Sequence, residues 1–258
     1  MIRLENVSRT FNAGTPDERR AIDAVSLEVA KGEFIAVIGG NGAGKSTLLG
    51  LVSGALTPDA GRVLIGDEDV TALPQHQRAR RIARVFQDPM TGTAPTLTVE
   101  ENLALAELRA QGRGWRAALS AARRSRYRDA LAPLGLGLEE RLTARAGLLS
   151  GGQRQALALV MATLIEPQVL LLDEHTAALD PRTSASVMQS TVELIGGRSL
   201  TTLMVTHNME HALRYGSRIV MMSAGRIQAD LSAQEKRDLS VADLVRRFHV
   251  AEDRMVLA

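Results

Sequence analysis

The stretch Gly39 to Thr47, reading GGNGAGKST, carries the residue types that hold a polyphosphate. Gly39, four intervening residues, then Gly44, Lys45 and Ser46 make the phosphate-loop spacing. Glycines let the backbone curl so that successive N–H groups face one anion. A helix beginning near Gly44 adds the positive end of its dipole to the same place. Lys45 supplies a compact charge for β- and γ-phosphates, and Ser46 offers a hydroxyl to Mg2+. The predicted ligand is a nucleoside triphosphate with its metal. A plain glycine-rich turn is the competing reading. Apolar Phe34–Ile38 before the loop and Leu48–Val52 after it supply the strand and helix that the phosphate motif requires.

Five further places along the chain pair chemistry with position. Gln87 closes a strand read over Ile82–Phe86, at the carboxyl edge where open α/β sheets bind ligands. Leu149-Ser150-Gly151-Gly152-Gln153 precedes a helix read to Ile165; it serves either as an anion cradle or as a simple serine N-cap. Val169–Leu172 is an uninterrupted apolar strand of the type buried in a parallel sheet, and it ends in Asp173-Glu174. Asp173 suits Mg2+, and Glu174 suits a base acting on water. His207 follows the apolar strand Thr201–Val205, on the same strand-end edge as Gln87 and Glu174. Phe11 ends the first strand and reads either as a core aromatic or as a platform for a purine base.

The elements that must position these residues follow from periodicity. Ile2–Phe11 and Ala21–Val29 read as strands joined by the turn Gly14-Thr15-Pro16-Asp17, with Val25, Leu27 and Val29 alternating with polar neighbours. Leu48, Leu51, Val52 and Ala55 give the phosphate-loop helix an apolar face, and Thr57–Gly61 ends it before a strand at Arg62–Ile65. Pro74–Arg81 reads as a short basic helix. From Thr98, a plausible N-cap, to Gly147 the chain turns to helix formers and arginine. Arg109–Arg128, with Trp115 and Tyr127, reads as a solvated basic face or as a nucleic-acid or anionic-lipid surface. Arg218–Ala229 closes as a hairpin around Ala224-Gly225, and Val241–Phe248 reads as a terminal amphipathic helix.

Composition bounds the class. The 258 residues are 45% hydrophobic, enough for a buried core, and the formal charge of +2 argues neither for nor against nucleic acid. Without cysteine there are no disulfides or thiolate metal sites. No signal-like leader and no apolar run near the roughly 18 residues of a membrane span is present, which predicts a cytoplasmic chain.

In this order, GGNGAGKST, Gln87, LSGGQRQ at Leu149–Gln155, VLLLDE at Val169–Glu174, Ala178-Leu179-Asp180 and His207 resemble the nucleotide-binding subunit of an ATP-binding cassette (ABC) transporter, over roughly Ile2 to Phe248. The resemblance implies an α/β fold: a P-loop NTPase core with a mostly parallel sheet, an N-terminal antiparallel β subdomain and an inserted α-helical subdomain. It implies a single ATPase domain over 1–248, the helical part at about 91–165, and a tail at 249–258. Carried onto this chain, Phe11 stacks on adenine, and Gly39, Asn41, Gly42, Ala43, Gly44, Lys45, Ser46 and Thr47 hold the phosphates. Gln87 senses Mg2+ and the attacking water, Asp173 holds Mg2+, Glu174 is the catalytic base and His207 contacts the γ-phosphate. Ser150, Gly151, Gly152 and Gln153 grip the ATP of a second subunit, and Asp180 links the two sites.

The implied assembly is a homodimer closing on two ATP at the cytoplasmic side of the inner membrane, with a separate permease and an extracytoplasmic substrate-binding protein. His175 stands where most relatives carry proline. With Phe86–Pro95 it is similar to an importer subgroup, some members of which are associated with tryptophan or other aromatic amino acids. A soluble cassette ATPase in translation or cluster assembly, and a nucleotide-operated module without turnover, are the competing classes. No nucleic-acid partner is expected.

Overall fold

The computed structural model describes residues 1–111 and 120–256. In chain order it runs β1 (Ile2–Phe11), β2 (Arg19–Val29), β3 (Phe34–Gly39), α1 (Lys45–Ser53), β4 (Ala60–Ile65), β5 (Glu68–Asp69), α2 (Gln75–Arg78), β6 (Ile82–Val85), α3 (Val99–Gln111), α4 (Ala121–Leu131), α5 (Gly151–Thr163), β7 (Val169–Asp173), α6 (Pro181–Gly196), β8 (Thr201–Val205), α7 (Met209–Tyr215), β9 (Arg218–Ser223), β10 (Arg226–Leu231), α8 (Ala233–Lys236) and α9 (Val241–Val256). Two compact units divide it: Met1–Arg78 with Ser199–Ala258, and Ala79–Arg198.

The first unit holds an antiparallel sheet in the order β2-β1-β4-β5, and a second sheet in which β3 lies parallel between β8 and β9, with β10 antiparallel beyond β9. Alternation in β2 does what the pattern predicts: Val25, Leu27 and Val29 are buried while Ser26 and Glu28 face water. All of β3 is buried, and α1 covers it through Leu48, Leu51 and Val52. The helix stops earlier than Thr57–Gly61 suggests, because Gly54 takes a left-handed C-cap at φ 79°. The basic helix expected over Pro74–Arg81 is a single turn. Its Arg78 is buried rather than solvated, donating to Leu51 O at 2.7 Å and Val52 O at 3.0 Å, the last carbonyls of α1.

The second unit pairs β6 with β7 in parallel, Ile82 opposite Val169 and Val85 opposite Leu172. Its helices pack Val99 and Leu103 of α3, Tyr127 and Leu131 of α4, and Leu157 and Val160 of α5 into one apolar cluster. Thr98 caps α3 as predicted, accepting from the Glu101 N–H at 3.3 Å. Part of the basic stretch pairs with acidic side chains of α3, while Arg126 and Arg128 stay exposed. Arg124 pairs with Glu100 of α3 at 2.6 Å, and Arg123 and Arg126 pair with the buried Glu107, which also accepts the Tyr127 hydroxyl at 3.0 Å. Trp115 lies outside the described residues.

Candidate functional site

The chemistry-bearing residues fall into two sets, one in each unit. In the first, Gly44 precedes α1 at φ 100°, a left-handed conformation that strains any side chain, and a Cβ there would lie 2.4 Å from Ala21 O. The amino end of α1 has no side-chain cap, and a helix start of that kind suits an anion. Lys45 is buried and donates to Gly39 O at 2.8 Å and Gly40 O at 2.9 Å, which bends the loop around its own ammonium. The β9–β10 turn braces the loop from outside, Gly225 N–H meeting Ala43 O at 3.0 Å. Asn41, Gly42 and Ser46 stay exposed and Thr47 is half-buried.

Phe11 ends β1 half-exposed, with the Arg9 guanidinium 5.3 Å from its ring centre. Directly across from it on β2, Arg19 donates to Gly42 O at 2.9 Å. The sequence reading passed over Arg19; its closeness to the loop depends on strand register. His207 is exposed just past β8, and because β8 runs parallel to β3 the two strands end on the same edge. Asn208 caps α7 by accepting from His211 N–H at 3.0 Å. Burial lowers the pKa of His211.

In the second unit the parallel register places the ends of β6 and β7 side by side, so Gln87 and the Asp173-Glu174 pair leave one edge together. Gln87 is exposed. Asp173 is buried and takes Arg84 on Oδ2 at 2.5 Å, while Arg84 lies 4.9 Å from the centre of the Phe86 ring. An arginine inside the apolar strand Ile82–Val85 was the available signal for this partner. Glu174 is half-buried with φ at 43°, a left-handed backbone rare outside glycine and a form of strain that collects at functional sites. His175 is buried, its Nε2 3.2 Å from Thr191 Oγ1. That hydroxyl also donates to Val187 O at 2.7 Å.

Ser150 caps α5 in a reciprocal box with Gln153, each contact at 3.2 Å. The side chain of Gln153 is further engaged by Leu136 O at 3.1 Å and by Arg141 at 3.2 Å. A Cβ on Gly152 would fall 2.0 Å from Thr183 Cγ2, so tight packing against α6 requires glycine there. At exposed Gly151 the nearest neighbour would be Leu179 Cδ2 at 3.6 Å, an ordinary contact. Asp180 caps α6, accepting from Thr183 N–H at 3.1 Å; the Thr183 hydrogen bonds hold its carboxyl below the usual range.

Ser46 in the first unit, and Gln87 and Asp173 in the second, each carry an oxygen of the hard kind that Mg2+ takes, and among the described residues no group of three or more His, Cys, Asp or Glu is placed to hold a metal. Mg2+ is held without such a group when one carboxylate and substrate phosphates share it, rather than by a cage of protein ligands.

The family model described as ABC transporter matches residues 22–177. The chain belongs to the ABC transporter family. A tyrosine transport ATP-binding protein of Clostridioides difficile is 39% identical over 97% of this chain and 100% of its own length. The ATP-binding protein of a lipoprotein-releasing system from Ruegeria pomeroyi is 39% identical over 89% and 97%. Among solved structures, the ATP-binding cassette MJ0796, described as dimeric in a post-hydrolysis state with ADP and Pi, superposes with a TM-score of 0.77 at 30% identity, covering 90% of this chain and 99% of that one. The chain is an ABC-type ATPase with the P-loop NTPase α/β fold that the motif order implies.

Proposed function

We propose that two copies of this chain close on two ATP molecules and that hydrolysis reopens them, driving an importer through a separate membrane permease fed by an extracytoplasmic binding protein. The observation that carries the reading is Gly151. Nothing among the described residues of its own chain demands glycine there, and it stands exposed beside a serine whose oxygen already accepts from Gln153 N–H. Such a turn is stable by itself, and the Ser150 hydroxyl proton together with the backbone N–H groups suits the close approach of another subunit's phosphate.

In this mechanism the phosphate loop from Gly39 to Thr47, Lys45 above all, holds the β- and γ-phosphates while Phe11 carries the adenine. Glu174 takes the proton of the attacking water, Gln87 orients that water, and His207 steadies the γ-phosphate. Mg2+ bound through Ser46, Gln87 and Asp173 would neutralise charge on the phosphates. The partner's Ser150 turn completes the cradle only in the dimer, so hydrolysis and pairing are linked. One ATPase domain over 1–248 carries these parts, its helical subdomain at about 91–165.

Among the described residues no helix is long and apolar enough to cross a membrane, which supports peripheral attachment at the cytoplasmic face through the permease. The tyrosine transport relative, matched along its whole length, supports an aromatic amino acid as the cargo of the assembled system.

Glu174→Gln tests the core of this reading because it removes the base and keeps the shape. Phosphate release should fall by about 10²–10⁴-fold, and light scattering with Mg-ATP should show dimers that persist. A variant that remains monomeric when saturated with Mg-ATP defeats the proposal. Uptake of labelled tyrosine and tryptophan by cells carrying the same variant checks the cargo.

A further inference from the structure

Gln155 on α5 is 1% exposed and uses half of its amide. Its Nε2 donates to Phe86 O at 3.2 Å, and its Oε1 meets no donor among the described residues. A buried amide oxygen without a partner costs free energy that a leucine or methionine of similar size would not. Stability alone therefore does not account for glutamine here.

The bond it does make goes to the peptide immediately before Gln87. Its neighbour Arg154 reaches the other side of the same segment, donating to Met90 Sδ at 2.8 Å. The same guanidinium gathers Ala146 O at 3.2 Å, Gly147 O at 3.1 Å and Leu149 O at 3.0 Å, the backbone that leads into Ser150. Two adjacent side chains of α5 thus tie down the chain on both sides of Gln87, and one of them also fixes the approach to Ser150.

We propose that Gln155 is a positioning residue for Gln87, with Arg154 as the second tie. Movement of the Ser150 turn onto a partner's ATP is thereby transmitted to the Gln87 of its own subunit, which couples the two ATP sites. The inference rests on the roles proposed above for Gln87 and Ser150.

Gln155→Met in the full chain removes the tie and the unmatched oxygen together, at similar volume. The melting temperature should hold or rise. Amide exchange over Phe86–Met90 should quicken without nucleotide. With ATP, kcat should fall about tenfold and half-saturating Mg2+ should rise, while the KM for ATP changes little. Because Gln155 acts through Gln87, Gln87→Ala with Gln155→Met should be no slower than Gln87→Ala alone.

If Gln155→Met fails to fold, Gln155→Leu carries the same measurements. Unchanged exchange, kcat and Mg2+ dependence in a folded variant, or additive losses in the double variant, overturn the proposal. A Gln87→Ala protein with ordinary turnover and Mg2+ dependence would overturn instead the role of Gln87 on which it rests.

Discussion

On the reading proposed above, helices α1 and α5 each receive an anion at the amino end, and they differ in how much of that end is already capped. Before α1 stands Gly44, left-handed and without a side-chain cap, so no side chain closes this end of the helix. Before α5 stands Ser150, locked in a box with Gln153, so the turn keeps its shape with no ligand at all. The carboxyl ends differ in the same sense. Behind α1 the fully buried Arg78 covers Leu51 O and Val52 O. It also donates to Leu73 O at 2.9 Å and Thr71 O at 3.0 Å. Burial lowers its pKa, with the charge of Asp69 opposing the shift.

Behind α5, Arg109 reaches Ala162 O at 2.9 Å and Ile165 O at 3.3 Å, and the more open Arg198 joins it on Thr163 O. Both helices thus have a cation against the negative end of the dipole. In the proposed mechanism the first is finished by nucleotide within its own subunit, while the second is capped beforehand and meets the nucleotide of a partner.

Two substitutions separate those cases most sharply. On the proposed reading Lys45→Ala removes a charge-assisted contact to the phosphates, and ATP affinity of the single chain should drop by about a hundredfold, as calorimetry would show. Gly151→Asp places a carboxylate where the partner's phosphate is to dock. The lone chain should then bind ATP as before, with ATP-dependent pairing lost in light scattering. A Gly151→Asp chain that binds ATP poorly on its own would break the distinction between the two helices.

The sequence made one of these helices easier to read than the other, for a physical reason. The phosphate loop is local: strand, glycines, lysine and helix follow one another, so spacing alone locates it. Ser150-Gly151-Gly152 is equally local, yet whether it caps a helix or holds an anion depends on what faces it. Arg78 sits in the string Gln75–Arg81, which has the composition of a solvated basic turn, and only the packed structure turns it onto α1. The contacts of Arg84, Arg109 and Arg154 were not legible for the same reason, since their partners are distant in sequence. Helix α6 was missed although its signals were present. Asp180-Pro181 is an N-cap followed by proline at the first position, and Val187, Met188, Thr191 and Ile195 are buried at helical spacing. The terminal helix runs to Val256, past the Phe248 limit that periodicity suggested.

Smaller effects test the carboxyl ends. Arg78→Met leaves four carbonyls without their donor in a closed interior and should cost about 3 kcal/mol in urea unfolding. Arg109→Met uncovers two, half-buried, and should cost about 1 kcal/mol. Equal losses would mean that the back of α5 is as closed as that of α1.

The smallest effect concerns Asp180, which starts α6 three residues before the Thr183 that Gly152 packs against. Its carboxyl is held below the usual range by the Thr183 hydrogen bonds, so the folded state binds its proton less readily than the unfolded chain. The resulting stability is fully present above the ordinary carboxylate pKa and is lost as pH falls through the depressed folded value. Asp180→Asn keeps a good cap and removes the charge. Melting curves of the two proteins should therefore lie a constant small distance apart at neutral pH and converge as pH falls below about 4. A gap that persists undiminished in acid would show that the carboxylate charge at the start of α6 does not stabilise the helix, and that the Thr183 contact is one of geometry alone.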